Sequence, residues 1–442
     1  MELNVLSGET SSSTNEDLVY SGRKVHLPVV IPISTVLFCV EVVSAGILCG
    51  LYSWEEETLL LALTILFLLV PSVLIQLTLT FLYQDSYCDQ FFIQFLHVLQ
   101  LGPVIRFMEA MITYYHAGRV QEPYFNIICK KHLMVFCEKE IEEEVSRSFL
   151  LLDTHCNAFK RVAVIQAFLG SVPQLTLQLY ASLEEGYIPI ERGFLMITCF
   201  ASITNGALIC SILAIEMRYD DYRIQMKPVA LVCISIWRVL EIATRVIVLV
   251  IFCSALTFWI CLIVLTNIIV FSFFPWIQFW RSKAPLPEFE DLTKFGTSVV
   301  LCLLTFTYVG INTFCWSAIH LNFSDQDLIE KSLSWHELAS YYVIRLLENV
   351  LLILLWHFHK TDFYEDINTP LLAVQLLTCY CIAILFMLFF YYYCHPCQRL
   401  FTHSFANWLQ YICCQRTPNV RTNSNDFNQN GELELLVAIQ NV

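Results

Sequence analysis

Charge is scarce in this chain, and that scarcity decides its class. Only 14% of the 442 residues are charged and 57% are hydrophobic, with a mean hydropathy of +0.61. Soluble domains carry roughly 25% charged residues. The formal net charge of −14 comes from acidic residues clustered between apolar runs, as at Glu55 to Glu57, and does not indicate nucleic-acid binding. The composition predicts an all-α polytopic membrane protein.

Signal-peptide and metal-site patterns are also missing. The first 21 residues are polar and rich in serine and threonine, so the first apolar helix is expected to act as an uncleaved signal anchor. Most of the 19 cysteines lie singly in apolar runs, where cysteine behaves as a small hydrophobe. No set of about four zinc ligands converges. We expect no metal, no cofactor and no enzymatic activity. Four cysteines near the last apolar run are lipidation candidates: Cys394, Cys397, Cys413 and Cys414.

Long apolar runs are abundant. A membrane span needs about 20 apolar residues, and ten segments are candidates: 28–53, 58–83, 90–116, 161–183, 193–216, 228–254, 257–280, 296–320, 337–358 and 369–393. Lysine and arginine mark cytosolic loops, which places both termini and loops 117–160, 217–227 and 281–294 inside. Segments 90–116 and 296–320 then enter and return on the same side. We predict about eight spans, two re-entrant segments and two pseudo-symmetric halves.

This topology divides the chain into three regions. Residues 1–27 form a cytosolic N-terminal tail, residues 28–393 the membrane domain, and residues 394–442 a cytosolic C-terminal tail. The halves of the membrane domain cover about 28–216 and 228–393. Asn322 begins a glycosylation sequon that this topology places in the cytosol. A glycan at Asn322 would therefore refute the topology of the second half.

Ionisable residues inside the apolar runs are the candidate functional site. Arg and Glu lie three residues apart, on one helix face, in three segments, and an intramembrane charge is a functional-site hypothesis by default. We predict that Arg238, Glu241 and Arg245 form a ladder faced by Glu41. The full set of path residues is Glu41, Arg106, Glu109, Arg238, Glu241, Arg245, Arg345 and Glu348. The alternative is that these ion pairs only fix helix register.

A second candidate site is a cytosolic docking surface. Ile141, Val145 and Phe149 form one apolar stripe of an amphipathic helix predicted over 138–152, which follows the basic pair Lys130 and Lys131. Such a helix would cover the re-entrant segment or bind a partner.

Several blocks resemble the XK family of membrane proteins. They are Gln166 to Tyr180, Trp237 to Val246, Gly310 to Ala318, Glu348 to Trp356, and Tyr380 to Met387 followed by His395 to Cys397. They occur in order, and the similarity covers roughly residues 30–400. The resemblance implies eight spans with two dipping segments, and phospholipid scrambling as the activity. It also implies a bridge-like lipid-transfer protein as a partner.

Two departures limit what the resemblance implies. Asn368 stands where the family's Kell-linked member has a cysteine, so no disulfide to Kell is expected. The tail from residue 394 has no Asp-x-x-Asp element, so activation by caspase cleavage is not expected either.

Three functions remain open at this point. The first is movement of phospholipids between leaflets of the plasma membrane along a polar Arg/Glu path. The second is a scaffold that docks a lipid-transfer protein, and the third is a solute transporter. A single-span auxiliary subunit is compatible with each of them.

Overall fold

The computed structural model describes residues 30–82, 95, 101, 104–105, 107–115, 135–218, 226–283, 294–323, 335–359 and 369–395. The longer helices in this part of the chain are α1 (Val30–Trp54), α2 (Thr58–Leu82), α3 (Val135–Gln166), α4 (Val172–Glu185), α5 (Ile190–Arg218), α6 (Pro228–Ala255), α7 (Thr257–Ser282), α8 (Lys294–Phe314), α9 (Trp335–His359) and α10 (Thr369–Phe389). Two π-helices, π1 (Ala167–Ser171) and π2 (Phe390–Cys394), extend α3 and α10.

Eight of these helical stretches are long and apolar enough to cross a membrane, judged by length and composition. They are Ile31–Trp54, Thr58–Thr78, Leu152–Glu185, Ile190–Met217, Thr257–Ser282, Gly296–Phe314, Trp335–His359 and Thr369–Cys394. The predicted all-α polytopic fold is therefore confirmed.

Helix α6 occupies the centre of the second half. It has the length of a span but carries Arg238, Glu241 and Arg245. It packs against α4, α5, α7, α9 and α10, and half of its residues are buried. Because neighbouring helices surround α6, its charged side chains can find protein partners where a lipid-facing helix could not.

The region around residue 150 differs from the prediction. The amphipathic segment 138–152 is not a separate surface helix but the first part of α3, which continues through π1 into α4. Pro173, the second residue of α4, does not break the chain of helical turns. Proline has no backbone N–H, so one carbonyl of the preceding turn receives no hydrogen bond. The wider turn of π1 just before Pro173 changes which carbonyl that is.

Helix α8 ends deep inside the bundle. The backbone N–H of Trp316, just after the helix, donates to Glu241 Oε1 at 3.0 Å, near the middle of α6. The chain then returns along α8, so that Leu321 and Phe323 pack against Leu301. By length and composition Gly296–Phe314 could also cross a membrane, so the re-entrant character of segment 296–320 stays a prediction.

The chain divides into two compact units, Met1–Pro396 and Cys397–Val442. All the helices named above belong to the first unit.

Candidate functional site: a buried charge network beside a groove

Arg238 and Glu241 form a fully enclosed ion pair on α6. Their closest polar atoms are 3.1 Å apart, and the two side chains are 1% and 4% exposed. Arg238 Nε also donates to Ser211 Oγ of α5 at 2.9 Å, and its guanidinium stacks over the Trp237 ring. The predicted pairing within α6 is confirmed, and it joins α6 to α5 and to the turn after α8.

Arg245 does not continue this pair, although the sequence predicted one ladder. Its Nη2 donates across to Glu348 Oε1 of α9 at 2.6 Å, and its Nη1 donates to Asn349 Oδ1 at 2.7 Å. Glu348 also pairs with Arg345 on its own helix, as predicted. The charges thus form two clusters, one around Glu241 and one around Glu348.

The side-chain amides of Asn267 and Asn349 and the backbone carbonyl of Asn312 complete the second cluster, and the sequence analysis missed them. Arg345 donates to Asn267 Oδ1 of α7 and to the Asn312 carbonyl of α8, each at 2.6 Å. Asn267 in turn donates to Glu348 Oε1 at 3.1 Å. The sequence did contain a signal for them, namely single asparagines within apolar runs. A buried side-chain amide needs hydrogen-bond partners, so such an asparagine indicates a buried polar contact. The cluster of Arg245, Arg345, Glu348 and these amides is called the α9 network below.

A groove of about 570 Å³ reaches the α9 network from one side. Its walls come from α7, α8, α9 and the returning segment, and most of them are apolar or aromatic. The lining consists of Leu262, Ile263, Thr266, Asn267, Val270, Phe271, Phe274, Tyr308, Trp316, His320, Glu337, Ser340, Tyr341, Ile344, Arg345 and Glu348. Glu348 is 21% exposed and gives the groove a charged floor at this position.

The groove runs from mid-bundle toward one end. Glu348 and Asn267 lie near the middle of their helices, whereas Glu337 lies in the first turn of α9. His320 reaches Gln278 Oε1 at 3.3 Å and stacks edge-on against Phe274 in the last third of α7. The part of the groove lined by Phe274, His320 and Glu337 therefore lies towards the loop after α7, which lysine and arginine predict to be cytosolic.

Glu41 is not where the sequence analysis placed it. It does not face the arginines of α6 but accepts a hydrogen bond from Ser171 Oγ of π1 at 2.8 Å. The reason is the helix arrangement, since α1 packs against α2, α3 and α5. Ser211 of α5 takes the place of Glu41 beside Arg238.

The remaining predicted residues are only partly described. Glu109 lies half-buried on a helical segment at 107–115, next to Ala110, which packs against Ile31. Cys394 ends π2, and Asn322 lies between the buried residues Leu321 and Phe323. Outside the described residues or side chains lie Arg106, Lys130, Lys131, Ile141, Val145, Phe149, Asn368, Cys397, Cys413 and Cys414. Among the described residues, no group of three or more His, Cys, Asp or Glu side chains could hold a metal ion.

Comparison with known proteins identifies the family. Residues 29–396 match the sequence model of a family described as "XK-related protein". This chain belongs to the XK-related family. It is similar to the "Endoplasmic reticulum membrane adapter protein XK" of Pan troglodytes, with 47% identity over 86% of this chain and 87% of the relative. The proteins of the same name from Rattus norvegicus and Mus musculus are each 46% identical, over 86% and 84% of this chain and 87% and 84% of their own lengths.

This XK-related protein is therefore a multi-pass membrane protein with two polar clusters in its core. Arg238, Glu241, Arg245 and Arg345 are each no more than 5% exposed. Of the predicted path residues whose side chains the structure describes, Arg345 and Glu348 line the groove, and the others do not. The predicted Arg/Glu path stays a prediction, because most of its described residues are buried away from the groove.

Proposed function

We propose that this protein moves phospholipids between leaflets and that the groove receives them from the cytosolic leaflet. One observation carries the proposal, namely a largely apolar groove that is also lined by Arg345 and Glu348. A zwitterionic headgroup carries a phosphate and an ammonium, which a guanidinium and a carboxylate complement. The apolar walls suit acyl chains, so the headgroup can leave water without losing all of its charged partners.

Complete transfer requires the α9 network to open. Beyond the floor, Glu348 is held by Arg245 and Arg345, and Arg245 by Asn349. A headgroup that replaces Glu348 on Arg345 would weaken the contact between α6 and α9 and so extend the groove. Transfer would then be gated by exchange of ion-pair partners, with no bond broken and no cofactor needed.

The test is transfer of fluorescent phospholipids in liposomes holding the purified full-length protein, with empty liposomes as the blank. Ile344 lines the groove, whereas Val343, its neighbour on α9, does not, and the two are 62% and 56% exposed. Ile344→Trp should slow transfer several-fold by filling the groove, and Val343→Trp should leave the rate unchanged. Equal rates in both variants, or no transfer with and without residues 394–442, would contradict the proposal.

A second candidate function is a membrane adapter, which the name of relatives up to 47% identical favours. In this role the cytosolic face would recruit a bridge-like lipid-transfer protein. We propose Lys130 and Lys131, with the α3 stripe at Ile141, Val145 and Phe149, as the contact.

Recruitment of such a protein to membranes tests the adapter role. The double variant Lys130→Glu and Lys131→Glu should abolish it, while Lys227→Glu, an exposed position in another predicted cytosolic loop, should not. Unchanged recruitment by the double variant would rule out this surface as the contact.

Co-staining with organelle markers tests the localisation. It distinguishes the plasma membrane, which we propose, from the endoplasmic reticulum named for the relatives.

A further inference from the structure

The Glu41 carboxyl lies in a polar cluster of a different kind from the α9 network. Glu41 is 2% exposed, and its partners are Ser171 of π1, Gln166 at the end of α3, and Ser202 and Cys199 of α5. Ser171 Oγ lies 2.8 Å from Glu41 Oε2 and 3.1 Å from Ser202 Oγ. Every one of these partners is neutral.

No basic side chain reaches the Glu41 carboxyl from the described elements around it. Helix α2 has no charged residue, and Glu41 is the only charged residue of α1. On α5, Arg192 lies ten residues before Ser202, about 15 Å along the helix axis, and pairs with Glu185. Lys160 of α3 pairs with Glu216, fourteen residues beyond Ser202 on α5. Arg238 of α6 reaches α5 only at Ser211.

An unpaired carboxylate in such a place is too costly to persist. Burying an isolated ion costs far more than neutral hydrogen bonds return, so the group takes up a counter-ion or a proton instead. A metal cation would have to separate oxygens that are already in direct hydrogen-bond contact at 2.8 and 3.1 Å. A proton needs no such space.

Gln166 supplies a second and independent indication. Its side chain is 7% exposed and lies within hydrogen-bonding reach of Glu41, yet its Oε1 has no donor. An orphaned acceptor in the core costs about 1–3 kcal/mol. If the amide of Gln166 is turned by 180°, its Oε1 faces Glu41, where a carboxyl O–H is a donor for it and a carboxylate is not.

We propose that Glu41 is a proton-binding site, a neutral carboxylic acid that joins α1 to π1 and α5. The proton is taken from water, forms an O–H bond on one carboxyl oxygen and cancels the negative charge. Release of the proton would leave a bare carboxylate among neutral groups, so ionisation requires water to enter between α1 and π1. The contact of α1 with π1 thus depends on proton occupancy.

Glu41→Gln tests the site, and Glu216→Gln is its matched control. Both are glutamates no more than 4% exposed, but Glu216 is bonded to Lys160 Nζ at 2.7 and 2.9 Å. An amide resembles a neutral acid in shape and hydrogen bonding, so Glu41→Gln should fold with a melting temperature close to that of the wild type. Glu216→Gln leaves Lys160 without its carboxylate and should lower the melting temperature.

Infrared spectra of the reconstituted protein at neutral pH give the direct readout. The band of a protonated carboxyl should be present in the wild type and in Glu216→Gln and absent from Glu41→Gln. Identical spectra in this region, or failure of Glu41→Gln to fold, would overturn the proposal. A sodium-dependent rise in melting temperature without the carboxyl band would replace the proton by a cation, and would also overturn it.

Discussion

Glu348 joins three helices within the α9 network. It accepts hydrogen bonds from Arg245 of α6, from Asn267 of α7 and from Arg345 of its own helix. Two guanidinium groups thus share one carboxylate. Breaking a buried ion pair by removing one partner costs about 3–5 kcal/mol, because the other charge is left uncompensated.

Glu348→Gln should therefore lower the melting temperature of the purified protein strongly, since two buried arginines lose their only described carboxylate partner. Glu337→Gln, on the same helix but 47% exposed, is the control and should have little effect. The measurement is thermal unfolding in detergent, followed by tryptophan fluorescence. Similar melting temperatures for the two variants would mean that water already compensates the network charges.

Residue chemistry explains how much of the site was predictable. The i,i+3 spacing fixed the pairs Arg238/Glu241 and Arg345/Glu348, because that contact lies within one helix. The partner of Arg245 could not be read from the chain, since Glu348 is 103 residues away. The placement of Glu41 was wrong for the same reason, as only the packing of α1 decides its neighbours.

At the scale of elements, π1 is one of the places where the two predicted halves meet. Gly206 of α5 lies against Ala167, and Gly310 of α8 lies against Leu169. A Cβ atom added at Gly206 would fall 2.2 Å from the Ala167 side chain, and one added at Gly310 would fall 2.5 Å from the Leu169 side chain. Ser171 of the same turn holds Glu41. The small residues let three helices approach the widened turn, in the way that small residues mediate close helix packing in membranes.

Gly206→Ala should destabilise the protein by about 1–3 kcal/mol, because its Cβ meets a rigid Cβ that only a backbone shift can relieve. Gly46→Ala on α1 is the control, since nothing lies within 4 Å of its added methyl group. That change should be neutral or stabilising, because alanine favours a helix over glycine by about 1 kcal/mol. Melting temperatures that fall equally for both variants would contradict this account of π1.

Periodicity predicted the helices well and their continuity poorly. The apolar runs identified most of the helices, whereas the amphipathic stretch at 138–152 was assigned to a separate surface element. Val135–Gln166 is instead a single helix in which a charged first half leads directly into a buried second half. A change of composition along the chain marks a change of surroundings and does not require the helix to end.

For the whole molecule, the returning segment 315–323 fixes the side on which Asn322 lies. Phe323 packs against Trp276 near the end of α7, with the ring centroids 5.1 Å apart. Asn322 therefore lies on the same side as the basic loop 281–294, which the positive-inside rule places in the cytosol. The oligosaccharide transfer that modifies sequons takes place on the opposite side.

We expect Asn322 to carry no glycan in cells. Endoglycosidase treatment should leave the mobility of the wild type unchanged, and a sequon inserted into the loop 360–368, predicted to lie outside, should produce a shift. A shift of the wild type that disappears in Asn322→Gln would reverse the topology of the second half.

The separation of Arg245 and Glu348 by 103 residues along the chain has a consequence for biogenesis. Helix α6 leaves the ribosome with two arginines in its apolar stretch, and the carboxylate for Arg245 is synthesised 103 residues later. At about 5–20 residues per second, the wait is on the order of 5–20 s. During that time α6 cannot be released into lipid as a finished helix, because Arg245 has no counter-charge. The insertion machinery must retain α6 until α9 emerges, so the second half enters the membrane as a group of helices.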